Sequence, residues 1–256
     1  MFEIDFYDLN LLWLGGLFLV AVVAGIIDTI AGGGGLLVLP SLLLAGIPPN
    51  LAIATNKLQS WAGTGMASLY FIRRGIIDVK QSWLMISTTC IGSLLGAWLL
   101  FQIDLGILWV VVPFLLIGMA IFTLFQPNMG DITRKAKLSL MGYSLFLPLL
   151  IGFYDGFFGP GTGSFFALSF VFLMGFTLIK ATAYAKLLNF TSNISAFAYF
   201  AFFEEFVLGV GLIMIVGQVI GASIGARLVV TKGNKIVRPL LVIISSLAAT
   251  KMLIEA

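Results

Sequence analysis

Two lysines lie inside long apolar stretches of the sequence, and each begins a row of polar residues at helical spacing. The rows repeat at i, i+3 and i+7 and consist of Lys57, Ser60 and Thr64 in one stretch and Lys186, Asn189 and Asn193 in the other. Residues at this spacing share one face of a helix. A buried ammonium group is costly, so each lysine is expected to face a cavity or a counter-charge. The pattern predicts a site for a small anion, in which lysine supplies charge and hydroxyl or amide groups supply directed hydrogen bonds.

Asn56 and Gln59 flank the first row and are further candidate ligands. The alternative is that both lysines extend along the helix surface to the membrane interface. Lys180 already lies near the interface from which Lys186 enters, which makes this alternative easier for the second lysine. The sequence leaves both interpretations open.

Two glycine-rich turns could add main-chain donors to the same site. The turns lie at 32–35 and 159–164, and the candidate ligands in them are Gly33, Gly34, Gly35, Gly161, Thr162, Gly163 and Ser164. Glycine lets the main chain approach a ligand, and the first turn of the following helix offers free N–H groups and a positive dipole end to an anion. The alternative is that these glycines only allow helices to pack closely.

Asp28 and Asp155 are the acidic residues inside the apolar stretches, and each precedes one of the glycine turns. Each could pair with the lysine of the other row, hold the empty site closed and yield when an anion competes for the lysine. A proton passed by such a pair is a further hypothesis. The alternative is that each aspartate only caps the turn after it.

The composition excludes several other chemistries. The chain has 256 residues with no histidine and one cysteine, Cys90. A Ser–His dyad, a zinc site built on histidine, a haem with a histidine ligand and a thiolate cluster are therefore excluded. We expect no catalytic residues, no metal site and no cofactor, and hence no enzyme. The net charge of +3 is typical of the cytoplasmic loops of a membrane protein and predicts no nucleic-acid partner.

The elements that position these residues are membrane helices. Apolar residues make up 60% of the chain and charged residues 10%, whereas a soluble domain carries about 25% charged residues. The apolar runs predict an all-α polytopic membrane protein with ten segments near 9–31, 35–47, 51–72, 80–102, 106–125, 138–158, 163–176, 180–203, 206–229 and 236–254. The second and seventh segments are too short to cross a hydrocarbon core about 30 Å thick, so we expect them to be short or re-entrant.

If all ten segments change sides, the basic residues gather on one face. That face holds ten of the fourteen cations, namely Arg73, Arg74, Lys80, Arg134, Lys135, Lys137, Arg227, Lys232, Lys235 and Arg238. Positively charged loops stay on the cytoplasmic side of a membrane. The pattern predicts a multi-pass protein of the cytoplasmic (inner) membrane with both termini outside.

The sequence also contains an internal repeat. Gly25–Asp28 recurs as Gly152–Asp155 at an offset of 127, and Lys57 recurs as Lys186 at an offset of 129. Each half holds five predicted segments, an odd number, so the second half must be inserted upside down. Inverted halves with short, glycine-interrupted segments are typical of secondary transporters, whose substrate site lies between the halves. We therefore divide the chain into two repeats within a single integrated membrane domain, residues 1–127 and 128–256.

Four motifs spread over nearly the whole chain, and they are Gly25–Gly35, Ala54-Thr-Asn-Lys57, Gly152–Gly163 and Lys186 with Asn189. Together they resemble the sulfite exporter TauE/SafE family of membrane anion transporters. The resemblance implies transport of sulfur-containing anions such as sulfite, sulfonates or sulfoacetate. The second half carries Ala185 before its lysine where the first half carries Asn56, so the resemblance does not imply equal roles for the two lysines.

Together these features predict a secondary transporter that moves a small sulfur-containing anion by alternating access. Its expected partners are that anion and the lipid bilayer, with a proton as the candidate second ion. An anion channel on the same scaffold is the first alternative. A cation- or proton-coupled transporter of another small metabolite is the second alternative.

Overall fold

The computed structural model describes residues 6–7, 9–103, 135–203 and 206–232 and contains eight α-helices within them. In chain order they are α1 (Leu11–Ala31), α2 (Gly35–Leu44), α3 (Pro49–Arg73), α4 (Trp83–Leu100), α5 (Leu140–Phe157), α6 (Thr162–Met174), α7 (Leu178–Phe203) and α8 (Leu208–Lys232). These ranges contain no β-strand. The prediction of an all-α protein is confirmed.

Four of the helices, α1, α4, α5 and α8, are long and apolar enough to cross a membrane. The protein is therefore a polytopic membrane protein. The eight helices correspond to eight of the predicted segments, with ends that differ by a few residues. The following predictions lie outside the described residues: the segments at 106–125 and 236–254, and Arg134, Lys235 and Arg238 of the basic face.

Helices α1 and α5 each end at a glycine turn, and a short helix follows. Gly32 caps α1 with a left-handed φ of 78°, and its N–H donates to the Asp28 carbonyl at 2.7 Å. Gly159 and Gly161 have φ angles of 100° and 83° before α6, which residues with a side chain rarely adopt. The helices after the turns, α2 and α6, have 10 and 13 residues and lengths of about 15 and 20 Å. Neither can cross about 30 Å of hydrocarbon by itself.

Small residues let pairs of helices pack closely along their length. Helix α4 packs along α5 and helix α1 packs along α8, and these are the two most extensive helix contacts in the described part. A Cβ added at Gly152 would lie 2.6 Å from the Thr89 carbonyl oxygen, and one at Gly217 would lie 2.7 Å from the Phe18 carbonyl oxygen. Real Cβ atoms do not approach other atoms so closely. Alanine at these positions would therefore push the helices apart.

Two apolar clusters flank the polar rows. One includes Ala54 of α3 and Ala196 of α7, and the other includes Ala67 of α3 and Ala185 of α7. In sequence, the polar row of α3 lies between its two alanines, and that of α7 lies between its two alanines as well. Helices α3 and α7 also contact each other. The fold therefore brings both rows together in the middle of these two helices, between two apolar layers.

Candidate functional site

A small polar cavity lies where the glycine turns meet the polar rows. Five helices and their turns contribute its lining residues, which are Asp28, Gly32, Gly35, Asn56, Lys57, Ser60, Asp155, Gly159, Gly161, Asn189 and Asn193. Every one of them is charged, polar or glycine. The cavity has a volume of about 20 Å³, which is room for about one water molecule. It can therefore bind a polar group, and in this conformation only a very small one.

Lys57 of α3 forms an ion pair with Asp155 of α5. Lys57 Nζ lies 2.6 Å from Asp155 Oδ1, and each side chain is 1% exposed. The Thr162 hydroxyl shares its proton between the same carboxylate oxygen, at 2.9 Å, and the Gly159 carbonyl oxygen, at 2.7 Å. The other oxygen, Asp155 Oδ2, is buried and has no hydrogen-bond partner in the described part of the chain. Burying two charges costs several kcal/mol per ion, so net stability alone does not account for this pair.

Lys186 of α7 forms a second ion pair, with Asp28 of α1. Lys186 Nζ lies 2.8 Å from Asp28 Oδ2, and the aspartate side chain is 16% exposed. Asp28 Oδ1 accepts a hydrogen bond from the Gly34 N–H at 3.3 Å. Asp28 therefore pairs with a lysine and also caps the turn that follows it.

The burial of both lysines contradicts the interpretation that they extend to the membrane interface. Lys57 is 0% exposed and Lys186 is 1% exposed. Lys180, by contrast, is exposed, and its ammonium lies 4.2 Å from the centre of the Phe176 ring. Cations buried within membrane helices are characteristic of substrate and ion pathways. Lys57 therefore lines the cavity and Lys186 is buried beside it, while Lys180 lies at the surface.

The two glycine turns pack directly against each other. The Ser164 hydroxyl donates to the Ala31 carbonyl at 2.5 Å. A Cβ on Gly163 would lie 2.6 Å from Gly32 Cα and 2.9 Å from the ammonium nitrogen of Lys186. Any side chain at this position would push the turns apart and displace the lysine. Gly163 therefore both allows the two turns to pack closely and leaves room for the Lys186 ammonium.

The amide side chains beside the cavity hold one another in place. Gln59 Nε2 donates to Asn56 Oδ1 and to Ser60 Oγ, each at 2.8 Å. Asn193 Nδ2 donates to Asn189 Oδ1 at 2.9 Å. These contacts fix the orientation of the polar groups at the cavity wall.

Most residues predicted from the sequence meet around this cavity. Nine of them line it, namely Asp28, Gly35, Asn56, Lys57, Ser60, Asp155, Gly161, Asn189 and Asn193. Six others lie behind the lining and contact it or its turns, namely Gly34, Gln59, Thr162, Gly163, Ser164 and Lys186. Gly33 belongs to the first turn but does not line the cavity. Thr64, the third member of its row, instead donates to the Ser60 carbonyl at 2.7 Å.

Gly32 and Gly159 line the cavity but are not among the ligands predicted from the sequence. Both have positive φ angles, and a Cβ on Gly159 would lie 2.7 Å from Lys57 Nζ. Each is the first glycine after a long helix, which is the position where a left-handed cap is commonest. Their position directly after a long helix could therefore have predicted that both glycines shape the turn at the cavity.

Charged pairs buried among several membrane-crossing helices, around a polar cavity, are features of a membrane transporter and not of an enzyme. The model of the sulfite exporter TauE/SafE family matches residues 17–252. The chain belongs to this family. The resemblance of its motifs is thereby confirmed.

Similar chains carry names that agree with this class. A probable membrane transporter protein of Haemophilus influenzae is 44% identical over 248 residues, which cover 97% of each chain. Another, from a Sinorhizobium species, is 46% identical over 248 residues, which cover 97% of this chain and 95% of its own. The probable membrane transporter protein YfcA of Escherichia coli is 45% identical over 245 residues, which cover 96% of this chain and 91% of its own. No solved structure matches the chain.

Proposed function

We propose that the protein is a secondary transporter that carries a small sulfur-containing anion across the cytoplasmic membrane by alternating access. The substrate belongs to the sulfite, sulfonate or sulfoacetate class. The observation that carries the proposal is that two buried ion pairs, Lys57 with Asp155 and Lys186 with Asp28, surround one cavity. The name of the family, sulfite exporter, supports the choice of a sulfur-containing anion.

The two carboxylates occupy the positions that a substrate anion would take. Asp28 accepts hydrogen bonds from its lysine and from the Gly34 N–H, and Asp155 accepts them from its lysine and from the Thr162 hydroxyl. Ammonium groups, hydroxyls and N–H groups at the start of a helix also bind the oxygens of oxyanions. We infer that the substrate competes with both carboxylates for the two lysines.

The cavity must enlarge before it can hold such a substrate. Its volume of about 20 Å³ holds about one water molecule, whereas sulfite has four non-hydrogen atoms. The ion pairs connect α3 with α5 and α7 with α1. Breaking them would free these helices to move apart. We assign this conformation to the closed state between the outward-open and inward-open states.

The proposal includes ten membrane segments in two inverted repeats, residues 1–127 and 128–256. Helices α1–α4 and α5–α8 follow the same order of one long, one short and two long helices. The first helix of each half packs along the fourth helix of the other, α1 with α8 and α5 with α4. Each lysine pairs with the aspartate of the other half. Such crossed contacts are what a twofold axis in the membrane plane would produce.

The proposed orientation places both termini outside and the basic loops in the cytoplasm. Contacts between loops support the alternation of segments on which this orientation rests. The Tyr184 hydroxyl accepts a hydrogen bond from the Asp78 N–H at 3.1 Å, and Lys80 and Lys180 line one open surface cavity. The loop after α3 and the start of α7 therefore lie on the same side, as the alternation of ten segments requires.

Thermal stabilisation of the purified protein tests the proposed substrate, since a ligand stabilises the state that it binds. The panel is sulfite, sulfate, thiosulfate, sulfoacetate, taurine and chloride. We expect a sulfur-containing anion to raise the unfolding temperature and chloride to leave it unchanged. Lys57→Ala should abolish the rise, and the matched control Lys180→Ala should keep it. A panel in which every sulfur-containing anion fails to stabilise the protein contradicts the substrate class.

Flux through proteoliposomes distinguishes the transporter from a channel. A transporter exchanges external for internal anion and saturates as the concentration rises. A channel shows linear, non-saturating flux without exchange. We expect saturable exchange, because the site is closed by two buried ion pairs that must be broken in each cycle.

A further inference from the structure

The two ion pairs differ in how well each carboxylate is satisfied. Asp28 accepts hydrogen bonds on both oxygens, from its lysine at 2.8 Å and from the Gly34 N–H at 3.3 Å. Asp155 accepts two on Oδ1, from its lysine at 2.6 Å and from the Thr162 hydroxyl at 2.9 Å. Its Oδ2 is buried without a partner among the described residues. The aspartate side chain is 16% exposed in the first pair and 1% exposed in the second.

This difference decides what happens when a substrate anion takes the lysines. Asp155 then loses its counter-charge in a buried position and keeps only a hydroxyl donor. A buried, unpaired carboxylate is strongly unfavourable. Asp28 keeps a main-chain donor and its partial exposure, so it can stay ionised. A proton bound to Asp155 Oδ2 would remove the unfavourable charge, and Thr162 could still donate to Oδ1.

We propose that Asp155 binds a proton when the anion displaces it from Lys57, so that one proton and one anion cross the membrane together. The inference rests on the proposed function and adds the coupling ion and its binding atom. On the side where the site is open, Asp155 Oδ2 forms an O–H bond with a proton from water. The Lys57 ammonium keeps its own protons and pairs with the anion. Both steps reverse on the other side of the membrane.

The groups around Asp155 favour this assignment. The charged or titratable groups that face it from the helices around the cavity, or flank it on its own helix, are Lys57 on α3, Asp28 on α1, Lys186 on α7 and Tyr154 on α5. The Tyr154 hydroxyl is engaged with the Pro160 carbonyl at 2.8 Å. Helix α4 contacts α5 through the Ser93 main chain, and the Ser93 hydroxyl donates to the Ser192 carbonyl of α7. Helix α6 presents the Thr162 hydroxyl to Asp155, and a hydroxyl does not titrate near neutral pH. Asp155 Oδ2, which has no hydrogen-bond donor among the described residues, is therefore the atom that can accept a proton.

Proteoliposomes that contain the wild-type protein and an internal pH-sensitive dye test the coupling. The probes are labelled sulfoacetate and labelled thiosulfate, because both are fully ionised near neutral pH and bring no proton of their own. The vesicles contain no anion at the start, so that uptake is net and not an exchange. We expect net uptake of labelled anion and acidification of the interior by about one proton per anion taken up. Net uptake without acidification overturns the coupling and leaves the proposed function intact. Absence of uptake with both probes, and of exchange in vesicles preloaded with the anion, overturns the proposed function and the coupling with it.

Asparagine variants separate the two aspartates. In Asp155→Asn we expect the number of protons per anion to fall from about one to about zero in whatever net uptake remains. In Asp28→Asn the ratio should persist, and an equal loss there would overturn the assignment. Ser223→Ala is the control for expression and folding, because its hydroxyl bonds to the Val219 carbonyl within α8.

Calorimetry of the wild-type protein keeps the inference testable if Asp155→Asn does not fold. Sulfoacetate and thiosulfate are titrated in two buffers that differ in ionisation enthalpy, which reports the protons bound per anion. We expect about one, and an affinity that rises as the pH falls because protons and anion bind together. A value near zero for an anion that binds overturns the proposal.

Discussion

Gly163 of α6 lies so close to Gly32 at the end of α1 that a Cβ on Gly163 would be 2.6 Å from Gly32 Cα. The contact joins the two glycine turns back to back. Each turn follows the aspartate of one ion pair, so we expect a change that separates the turns to disturb both pairs. The contact between the turns therefore connects the two ion pairs, each of which joins one half of the sequence to the other.

Gly163→Ala should separate the turns. The added methyl group would collide with Gly32 and with the ammonium of Lys186, which lies 2.9 Å from the position of the new Cβ. Overpacking of this kind lowers the free energy of unfolding by about 1–3 kcal/mol, and we expect anion exchange to fall by at least about tenfold, since this is the rate change that about 1.4 kcal/mol produces. Both quantities are measured against Gly16→Ala, whose Cβ would meet no described atom within 4 Å. Wild-type exchange in Gly163→Ala would contradict the close contact.

Lys57→Met should destabilise the protein by leaving Asp155 buried without its counter-charge. Breaking a buried pair on one side costs about 3–5 kcal/mol. The double variant with Lys57→Met and Asp155→Asn should recover most of that loss, while anion exchange stays absent. Unfolding of the wild type, the single variant and the double variant is compared in the same detergent. A double variant that is no more stable than the single one would show that the unpaired charge is not the cause.

Ser164→Ala should weaken the connection between the turns. The hydroxyl donates to the Ala31 carbonyl across the two halves at 2.5 Å, and loss of one such hydrogen bond costs about 1 kcal/mol. The control is Ser41→Ala, whose hydroxyl donates to the Leu37 carbonyl within its own helix at 2.8 Å. We expect a lower unfolding temperature and slower exchange only in Ser164→Ala. Equal effects of the two changes would remove this hydrogen bond from the mechanism.

Cysteine labelling tests the proposed orientation. In a Cys90→Ser background, Leu44→Cys at the end of α2 should react with an impermeant reagent in intact cells. Gln81→Cys, in the basic loop after α3, should react only in inverted membrane vesicles. Both native side chains are exposed on the protein surface, Leu44 by 65%, and labelling of each cysteine after detergent solubilisation separates the side of the membrane from burial in lipid. The reverse pattern would place both termini in the cytoplasm.

Much of the site could be predicted from the sequence because its residues appear twice in the same order. The repeat aligns Asp28 with Asp155 and Lys57 with Lys186 in sequence. Because each buried lysine needs a counter-charge, the sequence also suggested that each lysine pairs with the aspartate of the other half, as it does in the structure. The depth of the lysines could not be decided, because a lysine that reaches the interface and one that faces a cavity occupy the same helical positions.

Other details depend on contacts that spacing does not specify. Thr64 shares a face with Lys57, yet its hydroxyl donates to the Ser60 carbonyl one turn earlier, a local bond that threonine commonly forms in helices. The size of the cavity depends on how closely the two turns pack, and this is set by pairs of residues far apart in sequence. The difference in hydrogen bonding between the two aspartates also depends on their surroundings, because Asp28 accepts a bond on both oxygens and Asp155 Oδ2 has no donor among the described residues.

The crossed pairing has a consequence for the return half of the cycle. Lys57, Lys186, Asp28 and Asp155 together carry no net charge when both pairs are formed. Under the proposed rocking motion, an unloaded protein would thus reset without moving charge through the membrane potential, which acts on net charge. We expect the voltage to drive or oppose only the loaded step, in proportion to the charge of the cargo.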